Sequence, residues 1–220
     1  MAAAPNPAPA LFPMFLRLAG RDVLVVGAGA VAHPKIESLL RAGARVRVVA
    51  PRARRAVAAL TRARRIRFQQ REFRAADLDG AFLVIAATNS AALHEQVLRL
   101  ARARGVLCNV VDDPARCDFF YPAVVRRGDL QIAISTGGAS PALAQRLRKD
   151  LEKQFGPEYE GWIAHLRAAR EEALRRGARL PVRRRAAHRM AARHSFHSFV
   201  HHIRTRGAKA APPSHARLGR

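Results

Sequence analysis

The chain has 220 residues, 49% of them apolar but only 6% aromatic, and 40 Lys and Arg against 16 Asp and Glu give a formal charge of +24. That length holds one full domain and a small appendage, with a core built from Ala, Val, Leu and Ile. No apolar run reaches the ~18 residues of a membrane span, and the two cysteines, Cys108 and Cys117, match no metal spacing.

The N-terminal stretch MAAAPNPAPALFPMF has no basic n-region and is broken by prolines, so it reads as a flexible lead-in to a cytoplasmic protein rather than a signal peptide. The segment 21–51, RDVLVVGAGAVAHPKIESLLRAGARVRVVAP, then reads strand, turn, helix, strand. VLVVG is a continuous apolar run, as in a strand buried on both faces. Val31, Ile36, Leu39 and Leu40 follow at helical spacing, Gly43 ends the helix, and ARVRVVA alternates into a second strand. The unit has the size of one βαβ crossover.

The rhythm continues with a basic helix over 53–63, a half-wet strand IRFQQREF over 66–73 and an apolar strand AFLVIAAT over 81–88. A helix over 90–105 and a buried strand VLCNVVDD over 106–113 complete the series. Strands alternating with helices predict a parallel, doubly wound α/β sheet of Rossmann type. Cys108 lies in the last strand as a small buried hydrophobe, and no disulfide is expected. Beyond Asp113 and Pro114 the pattern changes. FFYPAVVRRG and DLQIAIST predict a hairpin closed at a glycine, followed by helices over 137–156 and 157–177. The expected division is a dinucleotide-binding domain over 1–113, a dimerisation and substrate region over 114–150, a helical region over 151–178 and a basic, unstructured tail over 179–220.

The charge is concentrated at the end of the chain. Thirteen Arg and Lys and no acid lie between Arg175 and Arg220, which leaves +11 on residues 1–174. The tail is read as a basic extension in preference to a nucleic-acid-binding arm, for lack of a fold motif or interleaved aromatics. A body at +11 suits a small polyanionic substrate. His194, His197 and His201 have helical spacing and could gather a metal, but the expectation is solvated tail histidines and no metal site.

Gly27, Gly29 and Ala32 form G-x-G-x-x-A directly after an apolar strand and at the start of a helix. The first glycine permits the tight turn, the second lets backbone approach a pyrophosphate, and the small third residue packs helix on strand. Free amides at the helix start then face phosphate. The second strand ends in Pro51 and Arg52 with no acid for a ribose diol, and Arg52 leaves a 2′-phosphate, hence NADP, open. Ligands in such sheets bind outside the carboxyl ends of the strands. Gly27, Thr88 with Asn89, and Asp112 with Asp113 should therefore share one rim. Asp113, before a proline, is read as a turn-former. On pattern alone Asp112 is either a cap or a group for proton transfer.

GAGAVAHPK, LVIAATN, NVVDDPARCDFFYPAVVRRG and ISTGGASPALAQRLR, in this order, resemble the precorrin-2 dehydrogenase family, which also forms the N-terminal module of siroheme synthase. The resemblance covers roughly residues 11–170. It implies NAD-dependent oxidation of precorrin-2 to sirohydrochlorin on a homodimer, with a substrate that carries eight carboxylates. It assigns catalysis to Asp112, phosphate contacts to the glycine turn with Ala30 and Val31, and the adenosine side to Pro51 and Arg52. Thr136 falls where some members carry a regulatory serine. Arg126, Arg127 and Arg146 are candidates for the substrate carboxylates by position.

Some members also insert iron, so a bifunctional dehydrogenase and ferrochelatase, with Fe2+ as substrate, is the alternative. A dinucleotide-sensing regulator with a basic DNA-binding tail, and a generic NADP reductase, are the remaining rivals. Pro34 departs from the family, which carries a basic residue there, and a proline in an early helix interior is expected to disturb the helix start.

Overall fold

The computed structural model describes residues 10–210, with side chains through His202. The chain divides into two compact units, one built on residues up to Tyr121 with Gly137–Ala139, the other on Pro122–Thr136 and the chain from Ser140.

The first unit contains β1 (Asp22–Val26), α1 (Ala32–Arg41), β2 (Arg45–Val49), α2 (Arg55–Arg62), β3 (Arg67–Gln69), β4 (Leu83–Ala86), α3 (Ala91–Ala103) and β5 (Leu107–Val110). The strands form one parallel sheet in the order β3-β2-β1-β4-β5, as the apolar runs predict. Successive side chains alternate between two cores. Val23, Val25, Val48 and Ile85 meet Ile36 and Leu39 of α1 on one face. Leu24, Val26, Val84, Ala86 and Cys108 meet Val97, Leu98 and Ala101 of α3 on the other. Strand order reverses between β1 and β4, which opens the crevice of a doubly wound sheet there.

Within the sheet and its helices, two expectations need correction. The strand read over 66–73 is only three residues long. Its continuation leaves the sheet edge because Arg71 turns back on Asp77, with Nη2 2.5 Å and Nη1 2.9 Å from the carboxylate oxygens. Asp77 is buried, and the Arg74 N–H donates to it at 2.8 Å. Pro34, expected to disturb the helix, is the third residue of α1. An N–H in the first turn has no intrahelical acceptor, so the proline removes no hydrogen bond.

The first unit also runs past residue 113. The Asp118 N–H donates to the Cys108 carbonyl at 2.8 Å, and the Cys108 N–H donates to Asp118 Oδ2 at 2.9 Å. These bonds fold the chain after β5 back along that strand.

In the second unit, β6 (Ala123–Arg127) and β7 (Leu130–Ile134) form the expected antiparallel hairpin. α4 (Pro141–Gln154) and α5 (Glu158–Arg175) pack on it, α4 capped by the Ser140 hydroxyl accepting from the Leu143 N–H. The region read as an unstructured tail instead holds α6 (Leu180–Met190) and α7 (Arg193–Ala210). Phe196 and Phe199, one turn apart, close on the buried Trp162 of α5 at ring separations of 5.9 and 5.1 Å, and Phe196 meets Tyr159 at 4.4 Å. These few aromatics bury enough apolar surface to hold a helix that charge alone would leave solvated. The last ten residues of the basic segment lie outside the described part of the chain.

Burial opposes ionisation of Asp77, but Arg71 and the Arg74 N–H outweigh it and hold the carboxyl below its ordinary value. A depressed folded value gives stability that is present above the unfolded value and lost as pH falls through the folded one. Asp77→Asn should therefore lower the unfolding free energy at pH 7 by about 1–3 kcal/mol and flatten its acid limb. Urea titrations of both proteins across the acid range check this.

Candidate active site

Parallel register puts the strand ends level. Val26 pairs with Val49 and Ala86, and Ala86 pairs with Val110. Each ladder runs one step further: Gly27 N–H donates to Val49 O at 2.9 Å, Ala87 N–H to Val26 O at 2.8 Å and Val111 N–H to Ala86 O at 3.0 Å. Residues 27–31, 51–52, 88–89 and 112–113 therefore leave the sheet along one rim.

Gly27 has φ +110°, and a β-carbon there would lie 2.1 Å from the Ala87 carbonyl oxygen. Gly29 is different: apart from itself and its two chain neighbours, no atom lies within 4 Å of where its β-carbon would stand. The loop is held from outside by the Arg54 N–H, which donates to Ala28 O at 3.0 Å. α1 begins without a side-chain cap or an acid in its first turn. Ala30 and Val31 are exposed at this helix start. Uncapped amides with open space beside Gly29 are what a pyrophosphate needs. Pro51 and Arg52 are exposed where β2 ends.

After β4, the Thr88 hydroxyl accepts the Ser90 N–H at 3.2 Å, and the Ser90 hydroxyl caps α3 through the Leu93 N–H. Asn89 is exposed. The Thr88 N–H donates to His94 Nε2 at 3.3 Å. The sequence reading missed His94. Its only signal is its place one turn beyond the Ser90 cap.

Asp112 lies just past the end of β5, not in the strand, and takes φ +63°. Aspartate tolerates this left-handed conformation better than most side chains. Its carboxylate is exposed. Asp113 serves the turn, with its carbonyl accepting the Arg116 N–H at 3.1 Å and its carboxylate 3.5 Å from the Arg116 guanidinium. Beneath the turn, Asn109 Nδ2 donates to Phe119 O at 2.8 Å and to Cys117 Sγ at 3.3 Å, while the Cys117 thiol reaches the carbonyls of Val110 and Asp113. Asn109 Oδ1 is buried without a partner among the described residues. Burial first, and Asp118 second, push the Cys108 thiol up to about 12. Both cysteines are free thiols.

Lys35 also belongs to this cluster. Its ammonium sits 4.0 Å from the centroid of the Tyr121 ring. The signal for it was a lysine beside Ile36, within the stripe that buries Ala32, Ile36 and Leu39.

The three arginines assigned to substrate lie in the second unit. Arg126 is exposed on β6 and bonds Gln131 at 2.6 Å. Arg146 is exposed on α4. Arg127 serves a different purpose. It donates to the carbonyls of Glu152, Phe155 and Arg126 at 2.8–3.0 Å, and so closes the C-terminal end of α4. Thr136 Oγ1 accepts the Ser140 N–H at 3.1 Å ahead of that helix. Among the described residues no His, Cys, Asp and Glu cluster could hold a metal, and none of the helices could cross a membrane.

Residues 14–123 match the family model NAD_binding_7, described as NAD(P)-binding, and residues 127–154 match that of the sirohaem biosynthesis protein central region. The siroheme synthase of Mannheimia succiniciproducens is 43% identical over 155 residues, 70% of this chain and 32% of the relative. That of Methylococcus capsulatus is 41% identical over 173 residues, 79% of this chain and 36% of the relative. The chain thus spans about a third of the length of these curated relatives. The solved structure of SirC, precorrin-2 dehydrogenase, matches with a TM-score of 0.70 and 25% identity, over 89% of this chain and all of that one.

The two glycines should separate fold from binding. Gly27→Ala should lower the melting temperature sharply, since a β-carbon has no room there. Gly29→Ala should melt within a few degrees of the wild type, yet lose dinucleotide affinity by about tenfold or more, a cost of about 1.4 kcal/mol. Thermal melts and calorimetric titration with the dinucleotide check both.

Proposed function

We propose that this chain, which belongs to the NAD_binding_7 family of NAD(P)-binding proteins, oxidises precorrin-2 to sirohydrochlorin with NAD as acceptor. The observation that carries this reading is the position of Asp112. An exposed carboxylate in a constrained turn stands on the same rim as the open glycine loop. The oxidation removes a hydride and a proton from the tetrapyrrole, and the dinucleotide supplies the hydride acceptor. Gly27, Gly29, Ala30 and Val31 would cradle its phosphates, Pro51 and Arg52 would border the adenosine, and Thr88 and Asn89 would border the nicotinamide. Asp112 takes the proton. A carboxylate on a solvent-facing rim can pass that proton on to water.

The substrate's carboxylates call for cations. Arg126 and Arg146 are the candidates in the second unit, while Arg127 holds the end of α4. NAD is preferred to NADP on the family resemblance. The exposed Arg52 is a surface charge in this reading. The working form is a homodimer in the cytoplasm. Dimerisation rests on the family resemblance, and β6 and β7, which pair only with each other among the described residues, leave strand edges that a second copy can extend.

Anaerobic incubation with precorrin-2 and NAD, NADP or neither, followed by sirohydrochlorin absorbance, tests the reading. NAD-dependent conversion is expected, and no conversion with either dinucleotide would refute it. Ferrous ion added afterwards tests the chelatase alternative against the spontaneous rate. Asp112→Asn keeps a side chain that tolerates φ > 0. It should lose turnover by a factor of about 100 or more while its melting temperature stays put. Asp112→Ala should in addition lose about 1 kcal/mol of stability.

A further inference from the structure

Doubly wound sheets take their ligands at the carboxyl ends of the strands. A cavity of about 680 Å³ opens at the other end of this sheet. It lies within the first unit, where the chain enters β1, β2, β4 and β5, and precorrin-2 oxidation makes no use of it. Backbone bonds fix its frame. The Arg45 N–H donates to Arg21 O at 2.9 Å, and the Phe82 N–H donates to Asp22 O at 2.8 Å. Leu78, Ala81 and Val106 give it a buried apolar floor.

Three guanidinium groups line the space, those of Arg21, Arg45 and Arg104. Acids hold two of them. Arg45 donates to Asp22 through Nε and Nη2 at 3.3 and 2.6 Å, and Arg104 donates to Asp79 through Nε at 3.4 Å. Arg45 keeps the Asp22 carboxyl below its ordinary value against the pull of burial, and Arg47 and Arg67 add to the effect from further away. Arg21 differs. It has no acid partner among the described residues, and its Cζ lies 5.2 Å from the centroid of the Phe82 ring. That contact orients the planar group and leaves its N–H edge for an acceptor. Gly80 adds a backbone donor. Residues 78–81 form a type II turn, with the Ala81 N–H on Leu78 O at 3.0 Å, Asp79 at φ −64° and ψ 126°, and Gly80 at φ +70°. The Gly80 N–H has no acceptor among the described residues. Beyond its chain neighbours, no atom lies within 4 Å of where a Gly80 β-carbon would stand.

Donors therefore outnumber acceptors in this cavity. Arginine only donates, and both carboxylates are already engaged, so a cation would meet neutralised acids and an unpaired positive group. We propose that the cavity is an anion site, separate from the catalytic rim, in which Arg21 and the Gly80 N–H hold a phosphate-type oxyanion. Arg45 Nη1 and Arg104 Nη2, which bond nothing among the described residues, complete the donor set. A free phosphate and the phosphate of a nucleotide present the same acceptor oxygens to these donors. The site stands whether or not the chain oxidises precorrin-2.

Calorimetric titration of the full chain with inorganic phosphate, pyrophosphate and AMP tests this, each with NADH saturating so that the glycine loop is filled. One anion per chain should bind. Arg21→Gln should weaken it about tenfold, with NADH affinity unchanged and the melting temperature within a few degrees of the wild type. AMP binding more tightly than phosphate would assign the site to a nucleotide, and equal or weaker binding would assign it to the free anion. Arg170→Gln, exposed on α5, is the control for diffuse charge. Equal weakening in both variants, loss of anion binding when NADH is added, or no saturable binding at millimolar concentration would each overturn the proposal.

Discussion

The rim depends on one absent methyl group. β1 lies between β2 and β4, and where it ends the chain must turn against the carbonyl of Ala87, one residue past β4. At Gly27 a β-carbon would fall 2.1 Å from the Ala87 oxygen, inside any allowed contact. Because that carbon is missing, the Gly27 N–H can still donate to Val49 and the Ala87 N–H to Val26. Both ladders then close to their last rung. The strand ends are held level, α1 starts uncapped beside open space at Gly29, and residues 88 and 112 emerge beside it. A bulkier residue at 27 would splay β1 from β4 and separate the two halves of the crevice.

Asp112 is constrained by different means. Its left-handed backbone breaks β5 and turns the chain back along the strand, where Asp118 and Cys117 lock it to the backbone of residues 108–113 and Asn109 holds the Phe119 carbonyl. The carboxylate stays outside this lock and exposed. A base of this kind beneath a solvent-facing acid suits the proposed proton transfer, one of the two roles that pattern alone left open. Tyr121 and Lys35 then join this base to the helix that starts at the glycine loop.

The parallel sheet was legible because VLVV, LVIA and LCNV are buried on both faces, and such strands announce themselves as unbroken apolar runs. The glycine motif was legible because it followed one of those runs. What escaped the sequence depends on partners distant in the chain. Phe196 and Phe199 look like isolated aromatics in a basic segment until Trp162 of α5 lies beneath them. Arg127 is indistinguishable from Arg126 as text, yet hairpin geometry sends one to a helix end and leaves the other outside. Lys35 interrupts an apolar stripe, a local conflict of the kind expected at functional positions. Pro34 misled in the other direction, because its cost depends on which helical turn it occupies.

A crystal structure of the chain with NADH bound tests this account most directly. The account predicts the pyrophosphate over Gly29 and the nicotinamide ring between Thr88 and Asp112, with the carboxylate in reach of the hydride-bearing face directly or through one water. A nicotinamide lying away from residue 112, or a pyrophosphate that does not touch the amides after Gly29, would contradict it.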